Sequence, residues 1–152
     1  MKPKKIKLNK FNDKRGYLLE LLPKRFKNIF KYSIITSSKK NVLRGLHYDK
    51  LLNEKKLIYV LKGEILDVTV NIKNNNKIYY NKLKEGDALF IPSEFAHGYK
   101  CLDKENILLY FLSKNYNPKN QKGIIWKDKK LNIRWNIKNP LISIKDRMLP
   151  NL

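Results

Sequence analysis

Short apolar runs recur along the first three quarters of the chain, about 8–12 residues apart, with turn-forming residues between them. Eight runs predict β-strands: YSIIT (32–36), NVLRGLHY (41–48), KLIYVLKG (56–63), EILDVTVNI (64–72), KIYYNKL (77–83), DALFIP (87–92), AHGYKCL (96–102) and NILLYFL (106–112). This spacing is typical of an antiparallel sandwich or barrel. The pattern therefore predicts an all-β fold, organised as one domain over residues 1–152.

The run EILDVTVNI places Ile65, Asp67, Thr69 and Asn71 on one face of a strand, and its other residues on the opposite face. We expect the apolar face to meet the core and the more polar face to meet water or a lined cavity. The segments NNNK (74–77) and KEGD (84–87) predict hairpin turns. One helical turn is predicted within residues 23–30, and the irregular sequence after Tyr110 predicts a C-terminal segment that folds back across the barrel.

The formal charge of +21 would suit a nucleic-acid or membrane-surface protein. However, Lys outnumbers Arg by 29 to 5 and Asn occurs 18 times, a joint bias toward residues with A/T-rich codons. The lysines are spread along the whole chain without a nucleic-acid-binding motif. We therefore predict no nucleic-acid partner.

The only cysteine, Cys101, follows an apolar stretch, and it cannot form an internal disulfide. It is interpreted as a small core residue rather than a nucleophile. No apolar run approaches the length needed to span a bilayer. With no apolar leader after MKPKKIKLNK, the sequence predicts a cytoplasmic protein that does not enter membranes.

The chain has two histidines, His47 and His97, fifty residues apart and outside any metal-binding motif. A protein-built metal site in a β-barrel usually needs three or four convergent ligands. We therefore predict no metal and no other cofactor. An unperturbed imidazole titrates near 6.5, so either histidine could act as a general base if a carboxylate oriented it. The alternative is that both histidines are structural.

Charged residues also occur inside predicted strands, where burial is costly unless the charge is paired. They are Arg44, Lys56 and Asp67. Arg44 and His47 are three residues apart, so they lie on opposite faces of a regular strand. They can reach one site only if twist, a bulge or a partner chain brings them together.

Several longer blocks follow one another in a specific order: FNDKRGYLLE, KKNVLRGLHY, KKLIYVLKGEILDVTVNIK, IPSEFAHGY, LLYFL, NYNP, GIIWKD, LNIRW and LISIKD. Together they resemble the dTDP-4-dehydrorhamnose 3,5-epimerase family over residues 11–150. The resemblance implies a jelly-roll, cupin-type barrel with short helical turns, usually a homodimer. It implies a metal-free enzyme that acts on a dTDP-linked 4-keto-6-deoxyhexose.

The resemblance also implies roles for individual residues. His47 matches the catalytic base, Asp146 its partner carboxylate, and Tyr110 the proton donor. Other matches and candidates complete a predicted substrate-binding set, with core packing as the alternative for its two aromatic residues: Arg15, Glu20, Arg44, Lys56, His97, Tyr116, Trp126 and Lys145.

The chemistry of these side chains agrees with such roles. The C4 ketone of the sugar acidifies the hydrogens on C3 and C5, so a base can remove one and form an enolate. A cation such as Lys56 stabilises the enolate oxygen, and one good donor of this kind contributes about 3 kcal/mol. A phenol then returns a proton from the opposite face. The resemblance therefore implies epimerisation at both carbons, from dTDP-4-dehydro-6-deoxy-D-glucose to dTDP-4-dehydro-L-rhamnose.

The sequence departs from the family at positions that face the substrate. A usual Gln-x-Asn-x-Ser element is Tyr32, Ile34 and Thr36 here, the Gln after RGLHY is Asp49, and a common Glu is Gln121. These departures leave alternatives open. The chain could invert a single centre of another nucleotide-linked 4-keto-deoxy sugar, or bind a sugar nucleotide without catalysis.

Overall fold

The structure is a computed structural model that describes residues 1–152. It contains twelve strands: β1 (Lys4–Ile6), β2 (Asn9–Asp13), β3 (Gly16–Glu20), β4 (Tyr32–Lys39), β5 (Leu43–Asp49), β6 (Lys56–Lys62), β7 (Glu64–Asn71), β8 (Ile78–Lys84), β9 (Ala88–Ile91), β10 (Phe95–Cys101), β11 (Glu105–Leu112) and β12 (Gln121–Gly123). One 3₁₀ turn spans Lys24–Phe26, and one short helix, α1, spans Ile144–Arg147.

The strands form two five-stranded sheets and one separate hairpin. The first sheet has the order β1-β9-β6-β11-β4, the second has the order β12-β5-β10-β7-β8, and β2 pairs with β3. All of these strand pairs are antiparallel. The predicted all-β fold, a jelly-roll sandwich of antiparallel strands, is confirmed.

Alternation along β6 shows how the first sheet is packed on both faces. Ile58 and Val60 point between the two sheets and join a twelve-residue core cluster. Leu57 and Tyr59 point outward and pack with Phe26 of the 3₁₀ turn. This explains why residues 56–60 form an almost continuous apolar run, since strands buried on both faces lose the polar alternation.

The outer face of the second sheet is covered by the C-terminal segment. Val68 and Val70 of β7 pack against Ile124, Leu131 and Trp135. The fold-back predicted for this segment is therefore present. Of the two alternatives for the more polar face of EILDVTVNI, water is excluded, because Ile65 belongs to the core between the sheets and Asp67 is fully buried.

Two other local predictions differ from the structure. NNNK lies in the β7–β8 hairpin connection, but KEGD joins β8 in the second sheet to β9 in the first. The prediction of a hairpin at KEGD is wrong, because a tight turn with Gly86 in the positive-φ region can equally lead into a crossing between sheets. The structure contains no helix that meets the length and hydropathy requirements of a transmembrane segment.

Candidate active site

A cavity of about 290 Å³ opens between the two sheets. The first sheet contributes Lys56 and Tyr110, and the second contributes His47 and His97. Eight of the eleven sequence-predicted site residues line it: Arg44, His47, Lys56, His97, Tyr110, Tyr116, Lys145 and Asp146. The order of these residues in the sequence does not indicate that they lie close together in space. Antiparallel strand pairing and the folded-back C-terminal segment bring them together.

His47 and Asp146 form a direct hydrogen bond. His47 Nε2 lies 2.7 Å from Asp146 Oδ1, and the backbone N–H of Gly45 donates to Asp146 Oδ2 at 3.1 Å. Burial by itself raises the pKa of Asp146, but the hydrogen bonds from His47 and Gly45 outweigh it and lower the pKa. An ionised carboxylate only accepts, so Nε2 carries the proton and Nδ1 is left as the free basic nitrogen.

A short helix holds Asp146 in place. Ser143 caps α1, and its Oγ accepts a hydrogen bond from the backbone N–H of Asp146 at 3.1 Å. The Ser-x-x-acid spacing of Ser143 and Asp146 is a helix-capping signal that sequence reasoning missed. The helix therefore fixes the carboxylate against a strand that lies about a hundred residues earlier in the chain.

A bulge resolves the question of how Arg44 and His47 share a site. His97 pairs with His47 and Tyr99 pairs with Arg44, so between these pairs one residue of β10 opposes two residues of β5. Gly45 lies in the bulge with φ +101°, and a Cβ placed there would be 2.5 Å from the carbonyl oxygen of His97. The extra residue turns both Arg44 and His47 toward the cavity.

His97 forms a second, more deeply buried imidazole–carboxylate pair. Its Nε2 lies 2.6 Å from Asp67 Oδ2, and neither side chain is exposed by more than a few per cent. Burial lowers the pKa of His97, although Asp67 opposes the shift. His97 is therefore a neutral imidazole at neutral pH. Its one N–H donates to Asp67, and Nδ1 is left as a hydrogen-bond acceptor.

Tyr110 lies on the sheet opposite His47. Burial, followed by the neighbouring Tyr99 and Asp67, raises the pKa of Tyr110 well above its ordinary value. Its phenol therefore remains protonated throughout the neutral range. The cavity thus has a basic nitrogen on one sheet and a proton-bearing oxygen on the other.

Three predicted site residues lie away from this cavity. Arg15 and Glu20 belong to the β2–β3 hairpin, where they pair with Asp13 and Asn9 respectively. Trp126 packs among the C-terminal residues that cover the outer face of the second sheet. Its backbone carbonyl oxygen accepts a hydrogen bond from Trp135 Nε1. The assignment of these three residues to substrate binding stays a prediction that the cavity of a single chain does not support.

Other cavity residues had no place in the sequence predictions. Glu54 lies 3.6 Å from Lys56, and Tyr99 OH is 3.1 Å from Thr36 Oγ1 across the two sheets. Both could have been found from strand alternation, because Glu54 is two residues before Lys56 and Tyr99 is two residues after His97.

Cys101 is a buried free thiol whose pKa is raised by burial to about 11.

No group of three or more His, Cys, Asp or Glu side chains is arranged to hold a metal ion. The potential chemistry of the cavity lies instead in a carboxylate-held imidazole, a protonated phenol and a buried ammonium group. Such a set can remove a proton from an acidic carbon, stabilise the resulting oxyanion and return a proton. Fold and cavity thus define a jelly-roll enzyme of the acid–base type.

A family model described as dTDP-4-dehydrorhamnose 3,5-epimerase matches residues 3–152. The chain belongs to this family. It is 34% identical to the dTDP-4-dehydrorhamnose 3,5-epimerase of Shigella flexneri, with 90% of this chain and 83% of the relative covered.

Solved structures support the same assignment. The crystal structure of the Bacillus anthracis dTDP-4-dehydrorhamnose 3,5-epimerase with TDP and PPi bound superimposes with a TM-score of 0.90 at 30% identity, covering 99% of this chain and 94% of that one. The Legionella pneumophila dTDP-6-deoxy-D-glucose-3,5-epimerase in complex with dTDP-4-keto-L-rhamnose gives a TM-score of 0.87 at 28% identity, covering 98% and 87%.

Proposed function

We propose that this enzyme epimerises dTDP-4-dehydro-6-deoxy-D-glucose at C3 and C5 to dTDP-4-dehydro-L-rhamnose, a precursor of cell-surface polysaccharide. The observation that carries the proposal is the hydrogen-bonded His47–Asp146 pair facing Tyr110 in one cavity. The complex of the Legionella relative with dTDP-4-keto-L-rhamnose supports the choice of substrate. No cofactor is required for this chemistry. The location of the protein in the cytoplasm stays a prediction.

In the proposed mechanism, His47 Nδ1 removes the proton next to the C4 ketone. The electrons move into the ketone to give an enolate, whose oxygen is stabilised by the ammonium of Lys56. Tyr110 then delivers its proton to the carbon from the opposite side, which inverts that centre. Proton exchange with solvent then returns His47 to its basic form and Tyr110 to the phenol, and the same cycle at the second carbon completes the reaction.

The cations around the cavity suit an anionic substrate. Arg44 and Lys145 line it in addition to Lys56. A guanidinium group binds phosphate oxygens through paired hydrogen bonds, and an ammonium group binds them as a point charge. We assign the diphosphate to Arg44 and Lys145, with Tyr116 of the cavity lining as a candidate surface for the sugar or the base.

Hydrogen exchange in deuterated buffer tests this function. We expect proton NMR to show loss of the H3 and H5 signals of dTDP-4-dehydro-6-deoxy-D-glucose together with appearance of the L-configured product. Exchange at one carbon only would favour the single-centre alternative, which the changed residues Ile34 and Thr36 of the cavity wall make worth testing. Absence of exchange with every 4-keto nucleotide sugar in a panel would contradict an epimerase and favour a binding protein.

We further propose that the enzyme is a homodimer in which the β2–β3 hairpin packs on a second copy. Phe11 and Leu18 pair directly across this hairpin and share one face, and more than half of the surface of each is exposed. Such a cluster of large apolar side chains on a surface is typical of an interface. The strand β4 also presents a free edge, which can pair with a strand of another chain. In this arrangement Arg15 and Glu20 would reach the cavity of the neighbouring subunit.

Replacing Leu18 with Lys will separate the subunits and raise KM for the nucleotide sugar, because it places a charge in the proposed interface and withdraws Arg15 from the neighbouring site. Analytical ultracentrifugation and steady-state kinetics measure the two effects. A wild-type sedimentation coefficient of a monomer at micromolar concentration would contradict the dimer.

A further inference from the structure

The ammonium group of Lys56 occupies an unfavourable position. Lys56 is the first residue of β6 and its side chain is only 9% exposed. Burial lowers its pKa, since the charged form loses hydration. A neutral amine could not stabilise an enolate oxygen electrostatically. The proposed chemistry therefore requires a nearby group that keeps this lysine protonated.

Glu54 is positioned to be that group. Its Oε2 lies 3.6 Å from Lys56 Nζ, and its side chain is 11% exposed, so the two charges are removed from water together. Of the groups that counteract the burial of Lys56, Glu54 acts most strongly, and Asp49 and Asp67 contribute less. An opposite charge at this distance shifts a pKa by about 1–3 units.

The separation of 3.6 Å has a second consequence. It is short enough for strong attraction between the charges but too long for a good hydrogen bond. Glu54 thus stabilises the charge of Lys56 without fully engaging its N–H donors. Those donors remain available for an oxygen atom that enters the cavity.

The remaining charged groups of the cavity do not replace Glu54. Asp146 is engaged by His47 and the Gly45 amide, and Asp67 is engaged by His97. The other ionisable side chains that line the cavity carry no negative charge at neutral pH that could stabilise an ammonium: Arg44, His47, His97, Tyr99, Tyr110, Tyr116 and Lys145.

We propose that Glu54 is a positioning residue that keeps Lys56 in its ammonium form while leaving its N–H donors free for the ketone oxygen of the substrate. The catalytic part of this inference rests on the function proposed above. The charge pairing itself does not, and it can be measured without substrate.

The test is Glu54→Gln, which preserves shape and removes the charge. Amine acetylation of the intact protein with acetic anhydride across a pH series, read for each lysine by mass spectrometry, reports the titration of Lys56. We expect the midpoint of the Lys56 titration to fall by about 1–3 pH units. The alkaline decline of kcat should shift to lower pH by a similar amount. Glu64→Gln is the matched control, because it removes a carboxylate from a surface pair with Lys82 at 3.1 Å.

Each outcome is decisive for the inference. Glu54→Asp, which keeps the charge, should restore most of the wild-type midpoint. An unchanged Lys56 midpoint in Glu54→Gln overturns the proposal, as does a Glu54→Asp variant shifted as far as Glu54→Gln. A shifted midpoint in a protein that turns over no nucleotide sugar would uphold the charge pairing and contradict the proposed function instead.

Discussion

Replacing His47 with Asn will lower kcat about 10³-fold or more, and deuterium incorporation at C3 and C5 will fall in parallel. His47 provides the free Nδ1 of a pair whose other nitrogen is bound to Asp146. An amide cannot accept a carbon-bound proton at neutral pH, and loss of a general base typically costs about 10²–10⁴-fold in rate. Product formation and solvent exchange, followed by NMR, measure both quantities.

His47→Gln is tested beside it, because the longer side chain reaches toward the position of Nε2 and its amide nitrogen can donate to the buried carboxylate of Asp146. An uncompensated buried charge would destabilise the fold and confuse the result. For His47→Gln we therefore expect the same loss of kcat with unchanged thermal unfolding and largely unchanged affinity for dTDP. A variant that keeps more than a tenth of the wild-type kcat would show that another group removes the proton.

Replacing Tyr110 with Phe will have a different effect on the same two measurements. The inverted product will decrease about 10²-fold or more, while deuterium incorporation with retained configuration continues. His47 can still remove the proton and, after exchange with solvent, return deuterium to the same face. Only the donor on the opposite sheet is missing. Because burial keeps the pKa of Tyr110 high, no loss of this donor is expected between pH 6 and 9 in the wild-type enzyme.

Tyr59→Phe provides the matched control. Tyr59 is also a buried tyrosine, but it packs in the outer cluster with Phe26 and Phe90, away from the cavity. Removal of its hydroxyl should leave both exchange and inversion at wild-type levels. If Tyr110→Phe lost exchange and inversion equally, Tyr110 would have to act in proton removal as well, and the division of roles between the two sheets would be wrong.

The strands of the two large sheets were mostly predictable, because they contain runs of apolar and β-branched residues. Residues 56–62 and 105–112 are examples, and each is buried on at least one face. The strands β2 and β3 were missed because nearly all of their side chains are exposed. A hairpin without a buried face within its own chain lacks the periodic signal on which such predictions depend.

The site was predictable in its members but not in its geometry. Family-specific blocks indicated His47, Tyr110 and Asp146, and the structure places all three at one cavity. Simple alternation put Arg44 and His47 on opposite faces, and only the register shift between β5 and β10 brings both inward. A bulge of this kind depends on pairing with a distant strand, which local sequence does not encode.

The carboxylate that orients His47 is supplied from 99 positions later in the chain. During synthesis, both sheets must therefore emerge from the ribosome and associate before the imidazole acquires its partner. A nascent chain that has completed every barrel strand still cannot deprotonate a sugar. Proton abstraction is in this sense a property that the polypeptide gains only after the segment beyond the barrel strands has been made and has folded back.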